Sequence, residues 1–383
     1  MKLIALIGAL FIAGIPAAAQ HNKLGTVNTE TPEGQMLQAI GQENDPAKKT
    51  TMLEDFTGKY PKHESAGWAN AQLVTLYSKA GQVDKALAAG DRAIASDPDD
   101  LDTALVALKA LEAGKDPDSI RKWSVITSDA ARKVVSGEKP ADVEADEWKQ
   151  RVDYAKQVDT YCDYAFYASA LSSTNPVKTI DLFETLEKRS PQSQYVAQTT
   201  PVYFRALVQA KQMEKAVALT EKYAAQNQAD ENMLVTAADY YFTKQNNDKT
   251  IAMALKTIEV LTPKGAPTGV DPAAWEKDKK TKLGAAHWYA GMAYANQSKF
   301  QQADTELRAA LPNIEGQDYL KGGALFTLGL ANFKMGDAAK GDTGSKHVLD
   351  AFRFSQQAAT IKSPWQPLAA KNVAAIKTQY HLK

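Results

Sequence analysis

The sequence predicts an all-α fold of stacked helix hairpins, and three features support this prediction. Apolar residues recur at intervals of three and four positions, which is the spacing of one face of an α-helix. At several places an aromatic residue or a leucine is followed nine positions later by a small residue. In the clearest of these places a glycine marks the turn between two helices and a proline closes the segment.

The clearest segment runs from Trp68 to Pro98. Its predicted first helix carries Leu73, Val74 and Tyr77, a turn follows at Gly81, and the predicted second helix has a face of small residues at Ala86, Gly90 and Ala93. Such a hairpin cannot bury its own apolar face. It therefore needs neighbours of the same kind, and stability then comes from the interfaces between hairpins.

The same spacings recur along the chain. The pairs nine positions apart are Tyr77 and Ala86, Leu207 and Ala216, Tyr241 and Thr250, and Tyr294 and Ala303. The second-helix spacing of Ala86, Gly90, Ala93 and Pro98 also recurs at Thr179, Phe183, Leu186 and Pro191. From Thr179 to Ala216 is 37 positions, and from Ala216 to Thr250 is 34.

This pattern resembles the tetratricopeptide repeat, which has a period of about 34 residues. The resemblance covers roughly residues 67–98 and 160–360, and it departs from the family at Gly90, where an aromatic residue is usual. It implies a right-handed α-solenoid, a superhelix whose first helices line an inner groove that holds a peptide or a partner helix. A non-repeat helical bundle is the alternative architecture.

The N-terminal residues are typical of a bacterial secretory signal. Lys2 is followed by an apolar run of thirteen residues from Leu3 to Ile15, and then by Pro16 and three alanines that end at Ala19. The run is short for a membrane span, which needs about 20 residues. We expect cleavage after Ala19, a periplasmic or secreted protein, and no stable membrane insertion after cleavage; an uncleaved anchor is the alternative.

The remaining residues divide into predicted segments. They are a flexible leader (20–32), N-terminal hairpins (33–136), repeats (144–261), a Pro/Gly insertion (262–274), and C-terminal repeats with a capping helix (275–383). A second insertion is predicted around 336–346, where Gly336, Gly341 and Gly344 occur. Loops inserted into a solenoid cluster on one face and are sometimes binding elements.

Charge and motifs exclude several functions. Lys and Arg together number 45, as do Asp and Glu, and this balance argues against a nucleic-acid-binding protein. The five histidines lack the spacing of a zinc motif, and neither a phosphate-binding loop nor a nucleophile elbow occurs. Cys162, the single cysteine, is expected to be an inert thiol in a helix. The sequence therefore predicts no enzyme, cofactor or metal.

The candidate site is the groove that the resemblance implies. Its predicted lining comes from the first helices, and it comprises Tyr161, Tyr164, Arg205, Asp239, Phe242, Trp288, Tyr289 and Met292, followed by Phe326, Leu330 and Phe333. Spacings of three and four place each set on one helix face. Rigid aromatic rings suit a peptide groove, although the same residues could pack between hairpins instead.

The family's carboxylate-clamping lysine and asparagine set is not visible. The corresponding positions near Trp68 are occupied by Ala71, Gln72, Thr75 and Lys79.

The leading functional hypothesis is therefore a non-catalytic adaptor of the bacterial cell envelope that binds other proteins. One alternative is glycan or small-ligand binding, in which Trp68, Trp288 and Trp365 would act as stacking platforms. A further alternative is a subunit of a peptidoglycan-active enzyme. The predicted repeats, however, extend over the whole chain and leave no room for a catalytic domain.

Overall fold

The computed structural model describes Asn22 and residues 24–113, 116–339 and 341–381. These described residues form seventeen α-helices and no strand, so the predicted all-α fold is confirmed. The predicted signal segment, residues 1–19, lies outside them. No helix among them combines the length and the apolar composition that crossing a bilayer requires.

The chain forms two compact units, the first ending at Ala210 and the second beginning at Lys211. The helices of the first unit are α1 (Pro32–Gln42), α2 (Pro46–Lys59), α3 (Ala66–Lys79), α4 (Val83–Ser96), α5 (Leu101–Ala110), α6 (Pro117–Ser136), α7 (Ala145–Ser172), α8 (Pro176–Arg189) and α9 (Gln194–Gln209). The helices of the second unit are α10 (Met213–Ala225), α11 (Glu231–Thr243), α12 (Asn247–Leu261), α13 (Pro272–Asn296), α14 (Phe300–Ala310), α15 (Asp318–Ala338), α16 (Gly341–Thr360) and α17 (Gln366–Tyr380).

Within each unit, a helix packs mainly against its neighbours along the chain. The helix pairs α3 with α4, α11 with α12, α13 with α14 and α15 with α16 have extensive contacts. Odd-numbered helices also contact the next odd-numbered helix, as in α11 with α13, α13 with α15 and α15 with α17. Each unit is therefore a stack of helix hairpins with a core shared between neighbours, which is the predicted TPR-like arrangement.

The helix starts follow from local sequence. Several helices begin with proline, whose fixed φ suits the first turn and whose missing N–H costs nothing there. The preceding Asp or Asn accepts a backbone N–H as the N-cap, as Asp45 does from Lys48 at 2.8 Å and Asp271 from Ala274 at 2.8 Å. These caps fix where α2 and α13 begin.

The same turn recurs inside the hairpins. A residue with positive φ lies four positions after the first-helix tyrosine, and the next residue donates its backbone N–H to that tyrosine's carbonyl at 2.9 Å. The positive-φ residues are Gly81, Gln245 and Ser298, and the tyrosines are Tyr77, Tyr241 and Tyr294. Only Gly81 carries the residue type that this conformation favours, so sequence alone singles out one of the three turns.

The small second-helix residues are buried where helices approach closely. Ala86, Ala216, Thr250 and Ala303 are fully buried, in agreement with the predicted register. The departure at Gly90 also has a physical cause. A Cβ at Gly90 would lie 2.7 Å from Cη2 of Trp123, so the glycine leaves room for the indole of α6.

Two described residues of the predicted leader contact the folded body. The side-chain amide of Asn22 donates to Asp100 at 2.6 Å, and its backbone N–H donates to Asp97 at 3.4 Å. Val27 packs against the apolar core of the first unit. Flexibility of the leader, which its polar composition suggests, stays a prediction.

The first predicted insertion is a shorter loop than expected, residues 262–271, because α13 begins at Pro272 rather than after residue 274. The Lys279 ammonium donates to the carbonyls of Thr262 and Lys264, both at 2.8 Å. The ammonium of Lys264 donates to the buried carboxylate of Glu231 at 2.7 Å. Two lysines thus hold the start of this loop against the helices.

The second predicted insertion, 336–346, is wrong. Helix α15 continues to Ala338 and α16 begins at Gly341, so nearly all of these residues are helical. A Cβ at Gly336 would lie 2.9 Å from Cγ2 of Val348, and one at Gly344 would lie 2.8 Å from the carbonyl oxygen of Ala339. These glycines allow close helix packing rather than chain flexibility.

Candidate partner-binding surface

The eight predicted groove residues belong to both units. Tyr161 and Tyr164 lie on α7 and Arg205 lies on α9, in the first unit. The remaining five, Asp239, Phe242, Trp288, Tyr289 and Met292, lie on α11 and α13 of the second unit.

The second unit brings its aromatic residues together. The ring of Phe242 lies 5.2 Å from that of Trp288 and 5.5 Å from that of Tyr289, measured between centroids. Tyr289 and Met292 pack against the same apolar core. Spacing of three and four along α13, together with the contact of α11 with α13, thus produces the cluster that the sequence predicts.

Trp288 does not line a surface, because only 2% of the residue is exposed. Its indole N–H donates to the carbonyl of Leu320 at 2.9 Å, which satisfies the one polar group that the ring buries. The sequence interpretation of Trp288 as a groove or stacking residue is therefore corrected. Trp288 is a core residue that supports its half-buried neighbour Tyr289.

Tyr289 is held in place by Asp239. The Tyr289 hydroxyl donates to the Asp239 carboxylate at 2.6 Å, joining α13 to α11. Burial of the ring raises the pKa of Tyr289 above its ordinary value, and the hydrogen bond to Asp239 raises it further. The phenol stays protonated at physiological pH, and it presents an immobilised ring with an exposed carboxylate beside it.

Tyr319 was missed by the sequence reasoning. It is 55% exposed, and its ring lies 4.7 Å from that of Trp365 and 6.1 Å from that of Trp288. A Cβ at Gly323 would lie 3.1 Å from the Trp365 ring, so this glycine makes room for the indole. Tyr319 and Gly323 are four positions apart and so lie on the same face of α15. An aromatic residue beside a glycine on one helix face was the sequence signal that could have indicated Tyr319.

The apolar surface includes α15. Leu330 is 36% exposed and Phe333 is half-buried. Between α15 and α17 lies a slot of about 160 Å³, lined by Gly329, Leu330, Phe333, Lys334, Asn372, Ala375 and Ile376. Phe326 packs against the same core as Phe242 and Met292. We refer to the half-buried and exposed residues Phe242, Tyr289, Met292, Tyr319, Phe326, Leu330 and Phe333 as the aromatic face of the second unit.

The first unit holds a separate set of tyrosines. Tyr164 lies 6.3 Å from Tyr161 and 5.8 Å from Tyr195, and Tyr167 stacks on Tyr195 at 5.4 Å. Tyr161 is buried, and its hydroxyl donates a hydrogen bond to Glu112. Burial is the larger cause and this hydrogen bond the smaller cause of the raised pKa of Tyr161. Arg205 is exposed on α9, and no contact described in this unit joins it to these rings. The tyrosines mainly pack α7 against α9.

Three observations concern metal-binding and reactive side chains among the described residues. No group of three or more His, Cys, Asp or Glu among them could hold a metal ion. Burial raises the pKa of the Cys162 thiol, which makes it a poor nucleophile, as expected for an inert cysteine. The Nδ1 atom of His287 on α13 lies 2.7 Å from the Glu306 carboxylate on α14, so this histidine joins the two helices of one hairpin.

Comparisons with known proteins give matches among solved structures only. No family model matches the sequence, and no curated protein matches it. Among solved structures, the chain is similar to the TPR domain of P58(IPK), with 10% identity, 92% of this chain and 89% of that chain covered, and a TM-score of 0.26. It is also similar to a chain of the Cut9–Hcn1 hetero-tetramer of the APC/C, with 10% identity, 92% and 85% covered, and a TM-score of 0.22. Both TM-scores are low, so the fold is assigned from this chain's own helix packing.

Proposed function

We propose that this protein is a non-catalytic scaffold that binds a segment of another protein on the aromatic face of its second unit. The observation that supports this most is Tyr319, a large ring that is more than half exposed yet is fixed by Trp365 and Trp288. Rigid rings give a large contact area at a small entropic cost, which is why aromatic residues dominate binding hot spots.

The face is suited to one side of a partner helix or extended segment. It alternates half-buried apolar groups, Phe242 and Met292, with an exposed carboxylate at Asp239. An apolar side chain of the partner would contact the rings, and a donor group would reach Asp239, whose other contact is the Tyr289 hydroxyl. Specificity would then come from the carboxylate and affinity from the rings.

We further propose that the protein is exported into the bacterial cell envelope and acts there after cleavage following Ala19. The support is the N-terminal sequence, in which a lysine, a thirteen-residue apolar run and three alanines follow one another. Measuring the mass of the protein isolated from the envelope fraction would test this directly. A mass that retains residues 1–19 would overturn the cleavage.

In-cell photo-crosslinking tests the binding proposal. A photoreactive phenylalanine analogue placed at Tyr319 should capture one protein in high yield, identified by mass spectrometry. The matched control places the same analogue at Val270, an exposed position in the 262–271 loop. Adding Phe242→Ala and Met292→Ala should abolish capture from position 319. Equal capture from both positions, or none from Tyr319, would contradict the proposal.

Glycan binding remains a second candidate because the exposed ring of Tyr319 lies beside the half-buried ring of Trp365, and sugar rings stack on such aromatic surfaces. Calorimetry with soluble peptidoglycan fragments separates the two functions. Heat that disappears with Tyr319→Ala supports the glycan, whereas no heat together with protein capture supports the scaffold.

A further inference from the structure

A different concave surface lies in the first unit, where α2 and α4 flank α3. It is a groove of about 800 Å³ lined by Glu54, Thr57, Gly58, Pro61, Ala66, Asn70, Leu73, Tyr77, Lys85, Ala88, Arg92, Ala95 and Ser96. None of these residues belongs to the predicted inner groove or to the aromatic face. The buried α3 residues form its floor, while the exposed residues of α4 form one wall. We call it the α2/α4 groove.

Arg92 lies in this groove in a prearranged position. Its Nε–H donates to the side-chain oxygen of Asn70 at 2.8 Å. Asn70 is itself only 5% exposed, and its amide nitrogen donates to the carbonyl of Ala66 at 2.8 Å. Asn70 is therefore held in place by its hydrogen bond to Ala66, and it in turn fixes the Nε edge of the Arg92 guanidinium. No contact described for Arg92 uses its two Nη nitrogens, which remain available as donors.

The carboxylates around the groove are already paired. Glu54, the one acidic residue among the lining residues, accepts from the Tyr77 hydroxyl and lies 3.4 Å from the Lys85 ammonium. Asp91, beside Arg92 on α4, pairs with Lys122 at 2.5 Å. The lining thus carries two cations and one anion, and the described ion pair of Glu54 is with Lys85 rather than with Arg92.

The shape of the groove suits an extended chain. Small residues at Gly58, Ala66, Ala88 and Ala95 let a peptide backbone approach closely. Along α4 the lining spans from Lys85 to Ser96, which corresponds to about 16 Å at roughly 1.5 Å of rise per residue. An extended segment rises about 3.3 Å per residue, so about five residues fit.

We propose that the α2/α4 groove binds an extended acidic segment of another protein, with an Asp or Glu side chain paired to the two free Nη nitrogens of Arg92. A carboxylate matches this fork of donors in a planar, bidentate arrangement. Because Asn70 already orients the guanidinium, little side-chain freedom is lost on binding. This site would be a second docking surface, independent of the aromatic face.

The full-length protein would be tested against a bead-bound library of peptides of about six residues. The peptides carry N-acetyl and C-amide caps, so that a terminal charge cannot replace an acidic side chain. The library would contain Asp, Glu, Asn, Gln, Lys, Ser, Leu and Ala. We expect enrichment of Asp or Glu at one position over the isosteric Asn and Gln. The best peptide, labelled with fluorescein, would then be titrated by fluorescence anisotropy.

Four variants identify the site. Arg92→Gln should weaken binding by about tenfold or more, because a charge-assisted bidentate pair is lost, while Arg353→Gln, an exposed arginine of α16, should change nothing. Ala88→Glu places a carboxylate four positions before Arg92 on an exposed helix face, where it would occupy the fork and block the peptide. Ala88→Gln is its neutral control, and neither substitution at position 88 removes a buried contact.

The results decide the assignment. Loss with Arg92→Gln and Ala88→Glu, with retention in both controls, supports the acidic-segment site. Equal enrichment of acids and amides, or binding that survives Ala88→Glu, would overturn it. A peptide that no longer binds the Tyr319→Ala variant would be bound by the aromatic face instead. That result would overturn the assignment of the α2/α4 groove and leave the proposed scaffold function intact.

Discussion

The hydroxyl of Tyr241 donates a hydrogen bond of 2.6 Å to the carboxylate of Glu221, and so ties the first helix of one hairpin to α10 before it. The ammonium of Lys249 completes the cluster, 2.7 Å from Glu221 and 3.3 Å from the Tyr241 oxygen. This tyrosine is the one that also closes the hairpin turn through its carbonyl. One residue type at one position therefore sets both the turn and a contact to the preceding helix.

The first unit repeats this cluster. Tyr77 donates its hydroxyl to Glu54 of α2, and Lys85 lies 3.4 Å from the same carboxylate. In both clusters the lysine follows the tyrosine by eight positions. The repetition indicates that the tyrosine–glutamate–lysine cluster is part of how one hairpin is attached to the helix before it.

Tyr241→Phe tests the contribution of this contact to stability. Removing the hydroxyl leaves Glu221 paired with Lys249, so we expect a loss of about 0.5 to 1.5 kcal/mol in the free energy of unfolding. Urea unfolding followed by circular dichroism measures it. Tyr294→Phe serves as the control, since no described hydrogen bond uses the Tyr294 hydroxyl, and an equal loss in both variants would show that the contact to Glu221 contributes nothing.

The same cluster predicts a pH dependence. Hydrogen bonds from Lys249 and Tyr241 lower the pKa of Glu221 below its ordinary value of 4.5. A lowered pKa in the folded state stabilises the fold above about pH 4.5, and this stabilisation is lost as the pH falls through the folded pKa. Urea midpoints measured from neutral pH to acid should fall less steeply in Glu221→Gln than in the wild type; parallel profiles would contradict the assignment.

Lys264→Met should destabilise the second unit by leaving a buried carboxylate unpaired. Burial opposes ionisation of Glu231, but the hydrogen bond from Lys264, a backbone hydrogen bond and the charges of Lys264 and Lys282 together outweigh burial and lower the pKa of Glu231. We expect a loss of about 1 to 3 kcal/mol in the free energy of unfolding at neutral pH. Adding Glu231→Gln should restore part of the lost stability, because an unpaired neutral amide costs less to bury than an unpaired carboxylate. If the double variant is no more stable than Lys264→Met alone, the unpaired carboxylate is not the cause of the loss.

Gly90→Ala should destabilise the first unit although alanine favours helices by about 1 kcal/mol over glycine. The added methyl would lie 2.7 Å from the Trp123 ring, so overpacking of about 1 to 3 kcal/mol should outweigh that gain. Trp123→Phe removes the part of the ring that meets the methyl. A double-mutant cycle by urea unfolding should therefore show a total loss smaller than the sum of the single losses, and simple additivity would rule out the clash.

The aromatic face predicts that binding and stability can be separated. Tyr319→Ala should leave the melting temperature nearly unchanged because the ring is mostly exposed, yet it should abolish capture of the partner. Trp288→Ala should instead lower the free energy of unfolding by about 3 to 5 kcal/mol, as expected for a large core ring. Thermal unfolding of both variants measures the contrast, and a large loss with Tyr319→Ala would make Tyr319 a structural residue.

Much of the architecture could be predicted because it depends on local sequence. Caps and prolines explain where helices begin, as at α1 (Pro32–Gln42) and α2 (Pro46–Lys59), which both start with proline after a capping residue. Glycine was less informative, because the same residue serves opposite purposes. At Gly81 it permits a positive φ, whereas at Gly336 it permits two helices to touch, and only the neighbouring helix distinguishes the two.

The candidate site could be predicted only in part. Helical spacing grouped Phe242, Tyr289 and Met292 correctly, since first helices of consecutive hairpins are in contact. It could not separate Trp288 from Tyr289, because one position along a helix decides whether a ring enters the core or remains at its edge. Tyr319 was missed because its support comes from Trp365, which is 46 positions away in the sequence.

The packing of each helix against its neighbours along the chain also bears on cooperativity. When contacts join only segments close in sequence, folding can nucleate in any hairpin, and a local opening need not spread through a whole unit. Protection of backbone amides from hydrogen exchange should then fall from the interior of each stack towards its ends. A partner lying across several first helices would link hairpins that otherwise open separately, so its binding would be visible as slower exchange at helices it never touches.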